Sequence, residues 1–194
     1  ISIIGTPASG KSCLLASGLR ELRRKGASLG YTLIDAAPSL NTHIHSLEET
    51  LFPQDNTSST AQIGKTDPND LSAYKEVLVG IGESSVPRPI HYSWRDNVND
   101  SRTIVFHDTA GEAFLHENSI TPSIEHLGSA NTLIFVLDPF QDPSFRNVIS
   151  KNDPQLEIFS KSGSARQDLL ILETAERIRK LQGKSDFEKI DIPL

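Results

Sequence analysis

The feature that most constrains this chain is an eight-residue string near its start, Gly5-Thr6-Pro7-Ala8-Ser9-Gly10-Lys11-Ser12. It is a complete phosphate-binding loop pattern: glycine, four free positions, glycine, lysine and a hydroxyl residue. Its surroundings suit it. Ile1 to Ile4 reads as a short buried strand ending at Gly5, while Leu15, Leu19 and Leu22 recur at helical spacing after Lys11, with Gly26 as the expected stop. A strand that turns through glycine into a helix aims several backbone N–H groups at one point, and the helix N-terminus adds roughly half a positive charge. Polyphosphate is the ligand such a turn fits. Lys11 then reaches the β- and γ-phosphates, and Ser12 offers a small, hard oxygen to Mg²⁺. The expected nucleotide contacts in this string are Gly5, Ala8, Ser9, Gly10, Lys11, Ser12 and Cys13, with Cys13 read as a packed thiol rather than a nucleophile.

A second string, Thr103-Ile104-Val105-Phe106-His107-Asp108-Thr109-Ala110-Gly111-Glu112, is a strand that ends in a carboxylate and runs into a glycine turn. Asp108 is thereby delivered to the sheet edge as a metal-side carboxylate, acting through a water, and the Gly111 N–H is free to meet a γ-phosphate only while that phosphate is present. Such a contact is a switch. Ile90 to Trp94 is also strand-like, and the turn residues Asp96 to Ser101 make the two strands an antiparallel hairpin.

Elsewhere, Tyr31 to Ile34 reads as a strand, Thr121-Pro122 as the start of a short helix ended by Gly128, and Thr132 to Leu137 as a buried strand. Asp168 to Leu181 has helical spacing through Leu169, Leu172, Ala175, Ile178 and Leu181, with Arg177, Arg179 and Lys180 late in it, Gly183 as stop, and a new strand starting at Ile190. The stretch 36–88 is rich in Ser, Thr, Asn, Asp and Pro and is expected to be a long, partly irregular insertion. Alternating strands and helices specify an α/β domain whose sheet is mostly parallel, with one antiparallel strand at an edge. The chain starts inside a strand, holds no Met and stops as an apolar stretch begins, so it reads as an incomplete domain spanning 1–194.

The loop, the hairpin and Asp108-Thr109-Ala110-Gly111 together resemble the translation-factor and Ras-like class of P-loop GTPases. The resemblance implies a P-loop NTPase three-layer sandwich, GTP and Mg²⁺ as ligands, and Mg²⁺-dependent GTP hydrolysis that drives a switch. It further implies a threonine ahead of the hairpin as a Mg²⁺ ligand. Thr57, Thr60 and Thr66 are the candidates, and Thr66 in Gly64-Lys65-Thr66 is preferred, giving a metal set of Ser12, Thr66 and Asp108. Lys11 and Glu112 are the expected catalytic residues, although Glu112 departs from the glutamine often found after the glycine, the residue that orients the attacking water. The class reads guanine from an Asn/Thr-Lys-x-Asp motif that falls beyond Leu194. Val86-Pro87-Arg88-Pro89-Ile90 and the string Ala130 to Pro139 are similar to bacterial double-GTPase proteins of conflict and antiviral defence operons.

Two other readings stay open: an ATPase with Asp138 as the Mg²⁺ carboxylate, and a nucleotide-binding interaction module with little turnover. Arg88 and Arg95 are possible internal arginine fingers that the sequence does not place. A protein partner is expected at the switch segments or the 36–88 insertion. The net charge of -6 opposes a general attraction to nucleic acid. The single cysteine fits a reducing, cytoplasmic setting, and the longest apolar runs are too short to span a bilayer. His43 and His45 lack an evident third metal ligand, and His107 and His116 flank the Asp108–Glu112 segment, one expected to pack and the other to be solvated.

Overall fold

The computed structural model describes residues 1–53, 69–79, 82–98, 100–114, 120–142, 144–145, 166–190 and 192. In chain order the elements are β1 (Ser2–Gly5), α1 (Lys11–Gly26), β2 (Tyr31–Asp35), α2 (Thr42–Leu51), β3 (Tyr74–Val79), β4 (Gly82–Pro87), β5 (Ile90–Asp96), β6 (Ser101–Asp108), a 3₁₀ turn (Gly111–Phe114), a 3₁₀ helix (Pro122–Ser129), β7 (Leu133–Val136), a second 3₁₀ turn (Pro139–Gln141) and α3 (Gln167–Leu181).

Five strands form one mixed sheet in the order β2-β5-β6-β1-β7. β1 pairs in parallel with both β6 and β7, while β5 is antiparallel to both β2 and β6. Four strands therefore share a direction and one opposes them. The expected antiparallel edge strand is corrected in position: β5 lies second from the edge, because Tyr31–Asp35 pairs outside it, Tyr31 opposite Asp96 and Asp35 opposite Tyr92. The expected hairpin is present as β5 and β6, with Ile90 opposite Phe106.

Alternation along the strands splits the core between the two faces of this sheet. Ile3 faces one cluster with Leu15 and Leu19 of α1, Ile44 of α2, Leu33, Ile90, Tyr92 and Phe106. Its neighbour Ile4 faces the other, with Phe114, Ile124, Leu127, Leu133, and Leu170 and Ile178 of α3. Burying each such side chain stabilises by about 1.5–3 kcal/mol relative to leaving it exposed. Helices thus cover both faces, as an α/β domain requires.

Several local expectations need correction. α1 ends at Gly26 as expected, but without a left-handed turn there; a 3₁₀ turn over Ala27–Leu29 follows it, and Gly30 supplies the left-handed stop at φ 79°. Gly26 is needed for space instead, since a Cβ there would lie 2.7 Å from the Tyr31 carbonyl oxygen. Leu22 is exposed. α3 buries Leu170, Thr174, Arg177 and Ile178 and leaves Leu169 and Leu172 outside, so its inward face is offset from the expected one. The run Leu169-Leu170-Ile171-Leu172 offers an apolar residue to every face, and spacing alone cannot choose among them. Thr132 to Leu137 is less buried than expected: Leu133 is in the core but Leu137 is exposed. The described residues after Lys189 form no strand, and Ile190 and Ile192 pack on the second cluster. Finally, the described part of 36–88 is more regular than its composition suggests, holding α2 and the separate two-stranded hairpin of β3 and β4.

Candidate functional site

The site forms where β1 and β6 end side by side. Their parallel register sets Ile3 opposite Asp108, so the loop leaving β1 and the carboxylate ending β6 share one edge of the sheet. That loop has the backbone its glycine pattern anticipates. Gly10 takes φ 87° at the N-cap of α1, and Ala8 takes φ 60°, the sole positive φ at a non-glycine residue among those described. A non-glycine residue in that region costs of order 1 kcal/mol and persists where its surroundings impose it. Gly5 is required for space, since a Cβ there would meet the Val136 carbonyl oxygen at 2.6 Å. α1 begins at Lys11, directly after the loop, and the first turn of a helix presents its backbone N–H groups at the N-terminus, the arrangement that attracts anions.

Lys11 is only 5% exposed, and its ammonium donates to the carbonyl oxygens of Gly5 (3.1 Å) and Thr6 (2.8 Å). Burial lowers its pKa, and the carboxylates of Asp108 and Glu112 oppose that shift. Asp108 is also 5% exposed. Burial raises its pKa; the neighbouring Ser12 hydroxyl, then the Lys11 charge, then His43 oppose the rise. Cys13 is half-buried, and burial followed by the Asp108 charge keeps its thiol protonated. The structure therefore brings Gly5, Ala8, Ser9, Gly10, Lys11, Ser12, Cys13, Asp108, Gly111 and Glu112 to one place. Thr57, Thr60, Thr66 and His116 lie outside the described residues.

Gly111 rests directly on the loop: a Cβ on it would fall 2.2 Å from the Pro7 nitrogen and 2.5 Å from the Thr6 carbonyl carbon. The segment leading to it is held on two sides. Thr109, fully buried, hydrogen-bonds through its hydroxyl with His126 Nε2 at 3.2 Å, and His126 stacks on His107 with ring centroids 4.4 Å apart. Burial is the main cause that lowers the pKa of His107 to about 4 and that of His126 to about 3. On the other side the buried phenol oxygen of Tyr74 accepts the Ala110 N–H.

Asp138 is placed differently. Its Oδ1 accepts the Phe140 N–H at 3.0 Å and its Oδ2 accepts from the Gln141 amide at 3.2 Å, so both carboxylate oxygens serve the Pro139–Gln141 turn. Gln141, 2% exposed, also donates to the Pro7 carbonyl oxygen at 3.0 Å and so braces the loop that leaves β1. Arg177, read from the sequence as a late-helix cation, is 2% exposed and donates to the Phe114 carbonyl oxygen at 3.1 Å, tying α3 to the end of the Gly111–Phe114 turn. Nothing local in the sequence marks Tyr74, Gln141 or Arg177 for these contacts, which cross 36, 134 and 63 residues of chain. Arg88 Nε donates to the carbonyl oxygens of Leu71 and Tyr74, both at 2.9 Å. His43 and His45 sit on α2 and face Asp70 and Asp35 respectively.

Among the described residues no group of three or more His, Cys, Asp or Glu is arranged to hold a metal ion, and no helix is long and apolar enough to cross a membrane. Comparison with protein-family models, with curated proteins and with solved structures returned no match in any of the three.

Proposed function

We propose that this chain binds GTP with Mg²⁺ and hydrolyses it, as a P-loop GTPase whose Asp108–Glu112 segment responds to the γ-phosphate. One observation carries the reading: Lys11 and Ser12, at the head of a helix behind a left-handed loop, face a buried carboxylate that ends the adjoining parallel strand. Two hard oxygens, the Ser12 hydroxyl and the Asp108 carboxylate, suit a small divalent cation whose remaining ligands are water and phosphate. The fit has an electrostatic side, because Asp108 sits where burial disfavours its charge and a cation would restore it. Mg²⁺ held there would neutralise charge at the phosphate oxygens.

The chain's own groups supply the rest. Backbone N–H groups from Ala8 to Cys13 receive the phosphates. Lys11, on leaving the Gly5 and Thr6 carbonyls, places its charge where negative charge develops on the transferred phosphoryl group. Glu112 would be the carboxylate that orients an attacking water, and its proximity to Lys11 would limit the repulsion it exerts on phosphate. Glutamate at 112 in place of a water-orienting glutamine favours a second reading, a nucleotide-holding module with little turnover until a partner acts. The ATPase reading loses ground because both oxygens of Asp138 are occupied by its own turn. The link to bacterial defence rests on the sequence resemblance alone.

The test is Mg²⁺-dependent binding of labelled GTP and ATP in competition, followed by single-turnover hydrolysis, with Lys11→Ala as control. GTP preference abolished by Lys11→Ala supports the proposal. A preference for ATP, or binding that survives Lys11→Ala, overturns it, and tight binding without turnover selects the module.

A further inference from the structure

We propose that Tyr74, contributed by the 36–88 insertion, is a positioning residue for the Asp108–Gly111 segment, holding it on the phosphate loop until a γ-phosphate draws it off. The inference rests on the nucleotide-switch reading above. It begins from geometry. Tyr74 is 1% exposed, its phenol oxygen accepts the Ala110 N–H, and Ala73, Tyr74 and Ala110 form a small buried cluster of their own. Ala110 directly precedes the glycine that lies on Thr6 and Pro7. For the Gly111 N–H to turn toward a γ-phosphate held by Lys11, Gly111 must lift from that backbone. Its neighbour Ala110 must then move relative to Tyr74.

The hold is braced from behind. The Ala73 and Tyr74 N–H groups donate to the Asp70 carbonyl oxygen at 3.0 and 2.8 Å, the Arg88 N–H donates to the Ala73 carbonyl oxygen at 2.7 Å, and Arg88 Nε grips the Tyr74 carbonyl. Tyr74 opens β3 and pairs with Pro87 of β4, and β4 runs beside the Pro122–Ser129 helix that carries His126. The insertion is therefore mechanically joined to the segment: pulling Ala110 away strains the root of the β3–β4 hairpin. Burial raises the Tyr74 pKa, so the phenol stays neutral and keeps its acceptor oxygen at physiological pH.

A lost hydrogen bond of this kind is worth up to about tenfold in an equilibrium constant. Tyr74→Phe keeps the ring and removes the hold. Two quantities are measured on the full chain: amide hydrogen exchange at Ala110, and the ratio of affinities for a slowly hydrolysed GTP analogue and for GDP. Tyr92→Phe, which removes a phenol hydrogen-bonded to Arg23 of α1, controls for general loosening. We expect Tyr74→Phe to speed Ala110 exchange about tenfold and to raise the triphosphate-to-diphosphate ratio severalfold, up to about tenfold, with Tyr92→Phe changing neither. Unchanged exchange at Ala110, or a ratio within about twofold of wild type, overturns the proposal. Should the wild type bind neither nucleotide, the switch reading fails and Tyr74's switching role fails with it, while accelerated exchange at Ala110 still separates that failure from an absent hold.

Discussion

Replacing Gly111 with alanine tests the contact that gives the site its present form. The added methyl group would lie 2.2 Å from the Pro7 nitrogen, 2.5 Å from the Thr6 carbonyl carbon and 2.7 Å from the Pro7 Cα. Ordinary contact is about 3.5–4.0 Å, so the two backbones must part by roughly 1.5 Å. All three obstacles are main chain, leaving no flexible side-chain end to give way, and the expected loss lies at the top of the overpacking range, about 3 kcal/mol. Gly111 is not in the left-handed region, so this cost is spatial and owes nothing to backbone strain. Gly18→Ala is the counterpart: a Cβ there has no atom within 4 Å, and a helical glycine replaced by alanine should gain about 0.5–1 kcal/mol. Urea unfolding followed through Trp94, the sole tryptophan, would measure both. If Gly111→Ala lost less than about 0.5 kcal/mol, the segment would lift from the loop at little cost and the packing argument would be refuted.

Other outcomes follow from the same contacts. The stabilisation from keeping His107 and His126 neutral is complete above their unfolded pKa of about 6.5 and is lost as pH falls toward their folded values of about 4 and about 3. Unfolding free energy measured from pH 7.5 to 4 should therefore fall by about 2 kcal/mol or more, and His126→Phe should flatten that fall. Arg177→Ala strips the Phe114 carbonyl of its buried donor and should cost about 3 kcal/mol in the same unfolding assay; a cost below about 1 would mean the guanidinium contributes little there. Asp108→Asn removes a carboxylate whose charge burial disfavours, so without nucleotide the variant should melt no lower than wild type, while Mg²⁺-dependent nucleotide binding weakens at least about a hundredfold. Equal Mg²⁺ dependence in that variant would remove Asp108 from the metal site.

The backbone of the Gly5–Ser12 loop was legible because its signals are local: glycine turn, lysine, hydroxyl and helix head occupy one short string, and the structure folds it as a turn with positive φ at Ala8 and Gly10 that leads into α1. The hairpin of β5 and β6 was legible for the same reason, with turn residues between two β-rich runs. Strand order was harder. Nothing within Tyr31–Asp35 says whether it pairs inside or outside β5, since that depends on the hairpin folded some sixty residues later. The 36–88 insertion misled through its polar composition. α2 is secured mainly by Ile44, fully buried, and the β3–β4 hairpin buries only Tyr74 and Pro87 among its described side chains, so little apolar patterning was needed to make either. Tyr74, Gln141 and Arg177 were invisible for a different reason: each acts through one polar atom on a backbone group remote in sequence, and a residue type alone carries no address.

The pairing of Ser2 with His107 has a consequence for how the domain comes into being. The two halves of the proposed nucleotide site lie at opposite ends of a chain segment about a hundred residues long, and closing so long a loop must precede any reward from contacts across it. During synthesis the lysine loop emerges before its carboxylate and waits for it. Any ligand that needs both can stabilise only a chain whose first and sixth strands have already met, so nucleotide would act as a lock on the finished domain and not as a template for its folding.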